Sequence, residues 1–244
     1  MCDASGAPTL FVYEEIDSTN TEAKRMCAEG FAGRAIIAAE HQTAGRGRMG
    51  RSFYSPASTG AYFSILYTPD APLFDAVCIT SAASVAVMRA IRNLTGKQAL
   101  IKWVNDLYLD GKKIAGILTE AVTVNSTSCV IVGIGINLST ERFPEELLSI
   151  AGSVGSTEVS VATLIAEVWR ELKPFLEDHG DRSWLADYRT YSAVLGREIS
   201  WIRDGKERRG VACDIDTDGA LLVLDEDGKE DRLSTGEISV RLTK

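Results

Sequence analysis

The sequence predicts an α+β fold in two parts, a body over residues 1–194 and a small β-barrel over residues 195–244. Two observations carry this. Up to Ala193, apolar segments of strand length are interleaved with longer segments in which apolar residues recur at helical spacing. From Leu195 on, only short strands separated by glycine or acidic turns follow. A chain of 244 residues with 45% hydrophobic content can bury one large core and carry a small appendage.

In chain order, residues 1–8 are small and polar, and the first strand is Leu10 to Glu14. Asp17-Ser18-Thr19-Asn20 then offers side chains suited to capping a helix through Glu22, Ala23, Met26 and Cys27. Ala35 to Ala39 is a buried strand leading into His41-Gln42-Thr43, and Gly60 to Tyr67 is the next strand. Phe74 to Leu94 spaces Val77, Ser81, Ser84, Val85, Met88 and Ile91 as a core helix, with Gly96 as its stop signal. Asp110-Gly111 between two apolar runs predicts a hairpin of Leu100 to Leu109 with Lys113 to Val122. Cys129 to Leu138 is a strand, and Ser160 to Glu177 and Arg182 to Ala193 are helices. The barrel strands are Glu198 to Ile202, Gly210 to Ile215, Leu221 to Leu224, Arg232 to Ser234 and Ile238 to Leu242.

Composition excludes several classes of function. The net charge of -8 argues against DNA binding, and no room precedes Leu10 for an N-terminal helix-turn-helix. The longest apolar runs, such as Cys129 to Ile134, are too short to span a bilayer, and the N-terminus does not resemble a signal peptide. A cytoplasmic protein without a membrane partner is the expectation. The five cysteines are scattered and form no Cys-x-x-Cys pair, so they are read as reduced structural thiols. Only His41 and His179 are present, too few for a histidine metal cluster.

Against this acidic background, no acidic residue occurs from His41 to Pro69, and Gly45-Arg46-Gly47-Arg48-Met49-Gly50-Arg51 lies in that stretch. Glycine lets backbone N–H groups curl around an oxyanion, and arginine adds planar donors. The spacing also matches Gly-x-Gly-x-x-Gly, but a dinucleotide fingerprint opens into a helix, and here Ser52-Phe53-Tyr54-Ser55-Pro56 follows. A solvated basic loop is the plain alternative. Alternation along Val130 to Leu138 puts Ile131, Gly133, Gly135 and Asn137 on one face, so a flat ligand or closely packed backbone should lie over the glycines, with Asn137 as a polar contact. In Lys102-Trp103-Val104-Asn105-Asp106, an extended backbone would put Lys102, Val104 and Asp106 on one side, with Lys112, Lys113 and Gly116 across the turn.

Four separated motifs, Asp17-Ser18-Thr19-Asn20, then Gln42 to Arg51 with Ser55-Pro56, then Lys102 to Asp106 with Lys113-Ile114-Ala115-Gly116-Ile117, and Gly133-Ile134-Gly135-Ile136-Asn137, in this order resemble biotin protein ligase over about residues 10 to 140. The resemblance is to the form without an N-terminal DNA-binding domain. It implies a central mixed or antiparallel sheet with helices and an SH3-like C-terminal barrel. It also implies the reaction: biotin and ATP, with Mg2+, give biotinyl-5′-AMP, and a lysine of a biotin carboxyl carrier protein then takes the biotinyl group. Both nucleophiles come from substrates, so the enzyme positions groups and neutralises charge.

Carried over by motif, Ser18, Thr19, Asn20, Gln42, Arg46, Gly47, Arg48, Lys113 and Gly116 would line the biotin site. Arg48, Arg51, Phe53, Lys102 and Asn137 would hold ATP or the adenylate, with Asn137 reading adenine. Lys102, Lys113, Arg48 and Asp106 would be catalytic, Asp106 also being the possible magnesium ligand in a chain with no dedicated metal site. The family commonly has proline at the position of Val104 and tryptophan at that of Phe53, and phenylalanine offers a smaller stacking surface. A homodimer is a further implication. The alternatives are a lipoate or octanoyl ligase of the same fold and a non-catalytic biotin or nucleotide binder.

Overall fold

A computed structural model describes residues 7–69, 76–124, 127–203, 205–234 and 238–240. The body comprises β1 (Thr9–Ile16), α1 (Thr19–Ala28), β2 (Arg34–Gln42), β3 (Gly60–Tyr67), α2 (Ala76–Thr95), β4 (Leu100–Lys102), β5 (Asp106–Leu109), β6 (Lys112–Val124), β7 (Thr127–Asn137), α3 (Val161–Glu177) and α4 (Ser183–Thr190). The C-terminal strands are β8 (Glu198–Arg203), β9 (Lys206–Ile215), β10 (Leu221–Asp225), β11 (Glu230–Leu233) and β12 (Ile238–Val240).

The body is built on a seven-stranded sheet in the order β1-β2-β3-β7-β6-β5-β4. It is mixed: β1 and β2 are parallel, as a helical crossover through α1 requires, and the other neighbours are antiparallel. The register Ile16↔Gln42 brings the β1–α1 junction beside the end of β2. That pairing is why Ser18, Thr19 and Gln42, far apart in sequence, become neighbours.

The two sheet faces have different cover. Val132, Ile134, Ile136 and Leu138 join the main core under α2 and α3, while Cys129 and Ile131 pack with Ala23 and Cys27 of α1 on the other side. The expected alternation of β7 therefore holds, and its glycines lie on the α1 side. Helix α2 is long and apolar enough to cross a membrane by length and composition, yet it is mostly buried as the core helix expected from its spacing. Ser160 caps α3 by accepting from Thr163 N.

Several elements differ from expectation. Leu100 to Leu109 is two strands, because the chain turns at residues 103–105 and Lys102 pairs back onto Asp106. Lys102, Val104 and Asp106 therefore do not alternate along one extended arm. Trp103 and Val104 are instead buried as the hydrophobic content of the turn. Ser18 stands at the N-cap of α1, but its side chain makes no capping bond. The expected start of α2 at Phe74 lies outside the described residues, and α4 ends at Thr190, three residues early.

The C-terminal strands form an antiparallel five-stranded sheet in the order β11-β10-β9-β8-β12. Its inward residues, among them Ile199, Trp201, Leu221 and Ile238, belong to the same apolar cluster as the main core. Trp103 Nε1 donates to Gly219 O at 2.9 Å, and Arg189 reaches Ile215 O at 2.6 Å. Gly219 has φ +86°, and a Cβ there would lie 2.6 Å from Ser81 Oγ. The turn before β10 thus fits closely against the body.

Candidate functional site

The first compartment opens where the β1–α1 junction, the end of β2, the glycine loop and the bare face of β7 converge. It is lined by Ser18, Thr19, Asn20, Gln42, Arg46, Gly47, Arg48, Phe53, Lys113 and Gly116, with Gly133 and Gly135 of β7. Polar groups are held there by one another. Gln42 Oε1 accepts from Thr19 N at 2.9 Å and from Thr19 Oγ1 at 3.2 Å, while Gln42 Nε2 donates to Ser55 Oγ at 2.9 Å. Ser64 Oγ lies 2.7 Å from Thr19 Oγ1 and 2.6 Å from Asn20 Oδ1. Thr19 and Asn20 are buried, which desolvated polar groups tolerate only when paired in this way, and Ser18 is buried beside them.

The glycine loop is a tight hairpin. Arg46 bridges Ser52, Gly47 N donates to Arg51 O at 2.7 Å, and Met49 and Gly50 take φ of 54° and 75° at the tip. Gly45 is required by packing, since a Cβ there would come within 2.6 Å of Ser55 Oγ. No helix follows the loop, as its sequence context implied; the chain runs on through residues 52–59 to β3.

Side chains lie over the bare face of β7. A Cβ on Gly133 would meet Asn20, and one on Gly135 would lie 2.5 Å from the Phe53 ring. The Phe53 ring rests on the cross-strand pair Gly116↔Gly135, edge-on to Tyr62 at 6.4 Å. Phe53 therefore borders the first compartment and also a second beside it, rather than the nucleotide side alone.

The second compartment shares Gly47, Arg48, Phe53, Asn105 and Lys113 with the first and adds Arg51, Lys102, Asp106 and Ile238. Lys113 Nζ pairs with Asp106 Oδ1 at 2.6 Å, and Arg48 donates to Asn105 Oδ1 at 3.1 Å. Lys102 Nζ lies 5.6 Å from the centre of the Tyr108 ring. Asp106 is the one carboxylate lining this compartment among the described residues. Four cations around it make a site for a polyanion. The peptide between Trp103 and Val104 is cis.

Asn137 is set apart from both linings. It is buried, its Nδ2 donates to Gly152 O at 2.9 Å, and its Oδ1 finds no donor among the described residues. The segment it holds also pairs with the start of β6, through Lys113 N to Ile150 O and Gly152 N to Lys113 O.

Sequence reasoning passed over Asn105, Ser55, Ser64 and Ile238. Asn105 fastens the turn to β6, with Nδ2 donating to Ile117 O at 3.0 Å and its own carbonyl accepting from Ile117 N at 2.9 Å. Its place within Lys102–Asp106 was the available signal. Nothing local to Ser64 or Ile238 marks either, since each reaches the site only through sheet pairing.

Residues 12–137 match the biotin/lipoate A/B protein ligase family, and residues 194–241 match the biotin protein ligase C terminal domain. The chain is 32% identical over 241 residues to the bifunctional ligase/repressor BirA of Escherichia coli, covering 96% of this chain and 74% of that protein. It is 30% identical over 253 residues to the biotin–[acetyl-CoA-carboxylase] ligase of Mycobacterium tuberculosis, covering 96% and 90%. The solved biotin protein ligase from Aquifex aeolicus in complex with biotin and ATP superposes with a TM-score of 0.82 at 26% identity, over 96% of this chain and 99% of that one.

Proposed function

The chain belongs to the biotin/lipoate A/B protein ligase family, and we propose that it activates biotin with ATP and transfers it to a lysine of a biotin carboxyl carrier protein. The observation that carries this reading is the junction of the two compartments. A narrow cleft with paired polar groups adjoins a cation-rich one, and Lys113, Arg48 and Phe53 belong to both. A ligand with an uncharged polar ring at one end and a carboxylate at the other suits this arrangement, with the carboxylate meeting a phosphate at the junction.

In this reading, Ser18, Thr19, Gln42 and the backbone of Arg46 and Gly47 hold the ureido ring, with Gly116 leaving room against β6. Asn20 closes the floor. Arg48, Arg51 and Lys102 face the phosphates and Phe53 offers a ring for stacking, whereas Asn137, which its motif assigns to adenine, lies outside both linings with its Oδ1 buried. The biotin carboxylate attacks the α-phosphate, pyrophosphate leaves, and the carrier lysine then attacks the acyl carbonyl as AMP departs. Lys113 lies where two anions must approach, so its charge offsets their repulsion and the charge that develops in the transition state. Asp106 orients Lys113 through their ion pair.

Magnesium fits as a companion of the nucleotide. Such ions are held by one or two carboxylates together with substrate phosphates, and Asp106 supplies one carboxylate on the phosphate side. The ion would add neutralisation of phosphate charge. The division at Val194 separates the ligase body from the C-terminal sheet, whose Ile238 completes the second compartment. Pyrophosphate release that requires both biotin and ATP, followed by biotin appearing on a purified carrier domain, tests the assignment. Release driven equally by lipoate or octanoate, or none at all, would overturn it.

A further inference from the structure

The floor of the first compartment converges on a carboxylate to which no substrate contact is assigned. Glu120, in β6, has a side chain 20% exposed. Its Oε2 accepts from Asn20 Nδ2 at 2.9 Å, its Oε1 pairs with Lys24 Nζ at 2.7 Å, and the same oxygen lies 3.5 Å from an Arg46 guanidinium nitrogen. Lys24, Asn20 and Arg46 together hold its carboxyl below the usual range against the opposing effect of burial. Helix α1 and the first arm of the glycine loop are thus tied to one point on the central sheet.

The geometry of Asn20 shows what this tie does. Besides Glu120, its amide nitrogen reaches Leu118 O at 3.3 Å, and its oxygen pairs with Ser64 Oγ, which also meets Thr19 Oγ1. Both amide hydrogens are used inside the protein, so Asn20 is a strut rather than a spare donor for a ligand. It also fills the space over Gly133. Of the loop arginines, Arg46 lines only the first compartment, Arg51 only the second, and Arg48 both.

We propose that Glu120 is a positioning residue for biotin: by holding Asn20 and Arg46 it sets the span between α1 and the glycine loop across the first compartment. The inference rests on reading that compartment as the biotin site. It separates Glu120 from an ordinary stabilising ion pair, which would affect both substrates alike through general loosening.

The test is steady-state kinetics on the full chain, with circular dichroism confirming the fold of each variant. For Glu120→Ala, the biotin KM should rise about tenfold or more while the ATP KM stays within about twofold, because the lost contacts border only one substrate. Glu120→Gln should fall between parent and Glu120→Ala, since its amide oxygen can still accept from Asn20 but no longer neutralises Lys24 and Arg46. Combining Glu120→Ala with Arg46→Ala should give less than the product of the two separate effects, as expected for residues in one network. A folded Glu120→Ala with an unmoved biotin KM, an equal rise in both KM values, or fully multiplicative effects would overturn the role. Where Glu120→Ala does not fold, a parental biotin KM in Glu120→Gln does the same. A parent enzyme without biotin-dependent pyrophosphate release would overturn the reading of the compartment itself; an active parent with unmoved variants overturns only the role of Glu120.

Discussion

Lys113 shows how much depends on where one charge sits. Its ammonium is 2.6 Å from Asp106 and belongs to both compartments, so Lys113→Ala removes the cation at the junction and leaves Asp106 without its partner. The expected loss in adenylate formation is about 2 to 4 kcal/mol of transition-state stabilisation, with biotin binding less affected. Single-turnover adenylation and calorimetry together check this; an unchanged rate would remove Lys113 from the chemistry. Phe53 is a second case. From sequence it belongs to ATP alone, but its ring lies on Gly116 and Gly135 inside the first compartment as well. Phe53→Ala should weaken ATP by about 1 to 3 kcal/mol, the usual worth of a base stack, and should weaken biotin measurably too. Biotin affinity at the parental value would confine the ring to the nucleotide.

At the scale of elements, the glycine hairpin carries Arg48 from one compartment into the other while its first arm is held by Arg46 and Glu120. Arg48→Gly should therefore slow adenylate formation and also let the adenylate that is made escape, because the loop loses the side chain that holds it to Asn105 at the turn. The measurement is labelling of an unrelated lysine-rich protein in the presence of biotin and ATP. Adenylate made and kept as tightly as in the parent would place retention elsewhere. The helical layer offers a pH test. Glu167 on α3 is held down to about 2, chiefly by Arg170 and then by Asn93 of α2, from an ordinary 4.5. A carboxyl whose pKa is lower in the folded state stabilises the fold above about 4.5 and loses that contribution as pH falls toward 2. Arg170 is 62% exposed, so the contribution is screened to roughly 0 to 1 kcal/mol. Glu167→Gln should be slightly less stable than the parent at pH 7, with the gap closing in acid; a gap that widens on acidification would contradict the linkage.

For the whole molecule, one contact between its two parts is made by Trp103. Its indole donates to Gly219 O while its neighbours Lys102 and Asn105 line the second compartment. Trp103→Phe keeps the ring but strands a carbonyl, at a cost of about 1 to 3 kcal/mol. In a chain of this size that is a loss of several degrees in Tm, and the ATP KM should rise with it because the turn bearing Lys102 relaxes. Thermal melts and kinetics on one sample check the pair of effects. A lower Tm with an unchanged ATP KM would make the contact structural only.

The sequence by itself determined the elements whose signals are local. Short apolar runs gave β2 and β3, alternation gave the faces of β7, helical spacing gave α2 and α3, and the glycine–arginine loop in a carboxylate-free stretch marked a candidate anion site. The motif order placed most of the residues that line the two compartments. Tertiary structure alone decided the break of Leu100–Leu109 into β4 and β5, because burial of Trp103 and Val104 in the core outweighs the extended preference of a short apolar run. It alone decided that the junction residues of α1 face Gln42 rather than cap the helix, a consequence of the parallel pairing of β1 with β2. Glu120 and Ser64 join the site by the same logic: each is one residue in an ordinary strand, and only sheet register across about 100 or 45 residues of sequence brings it to Asn20. Period and turn chemistry are written along the chain, whereas which faces meet is fixed by strand order.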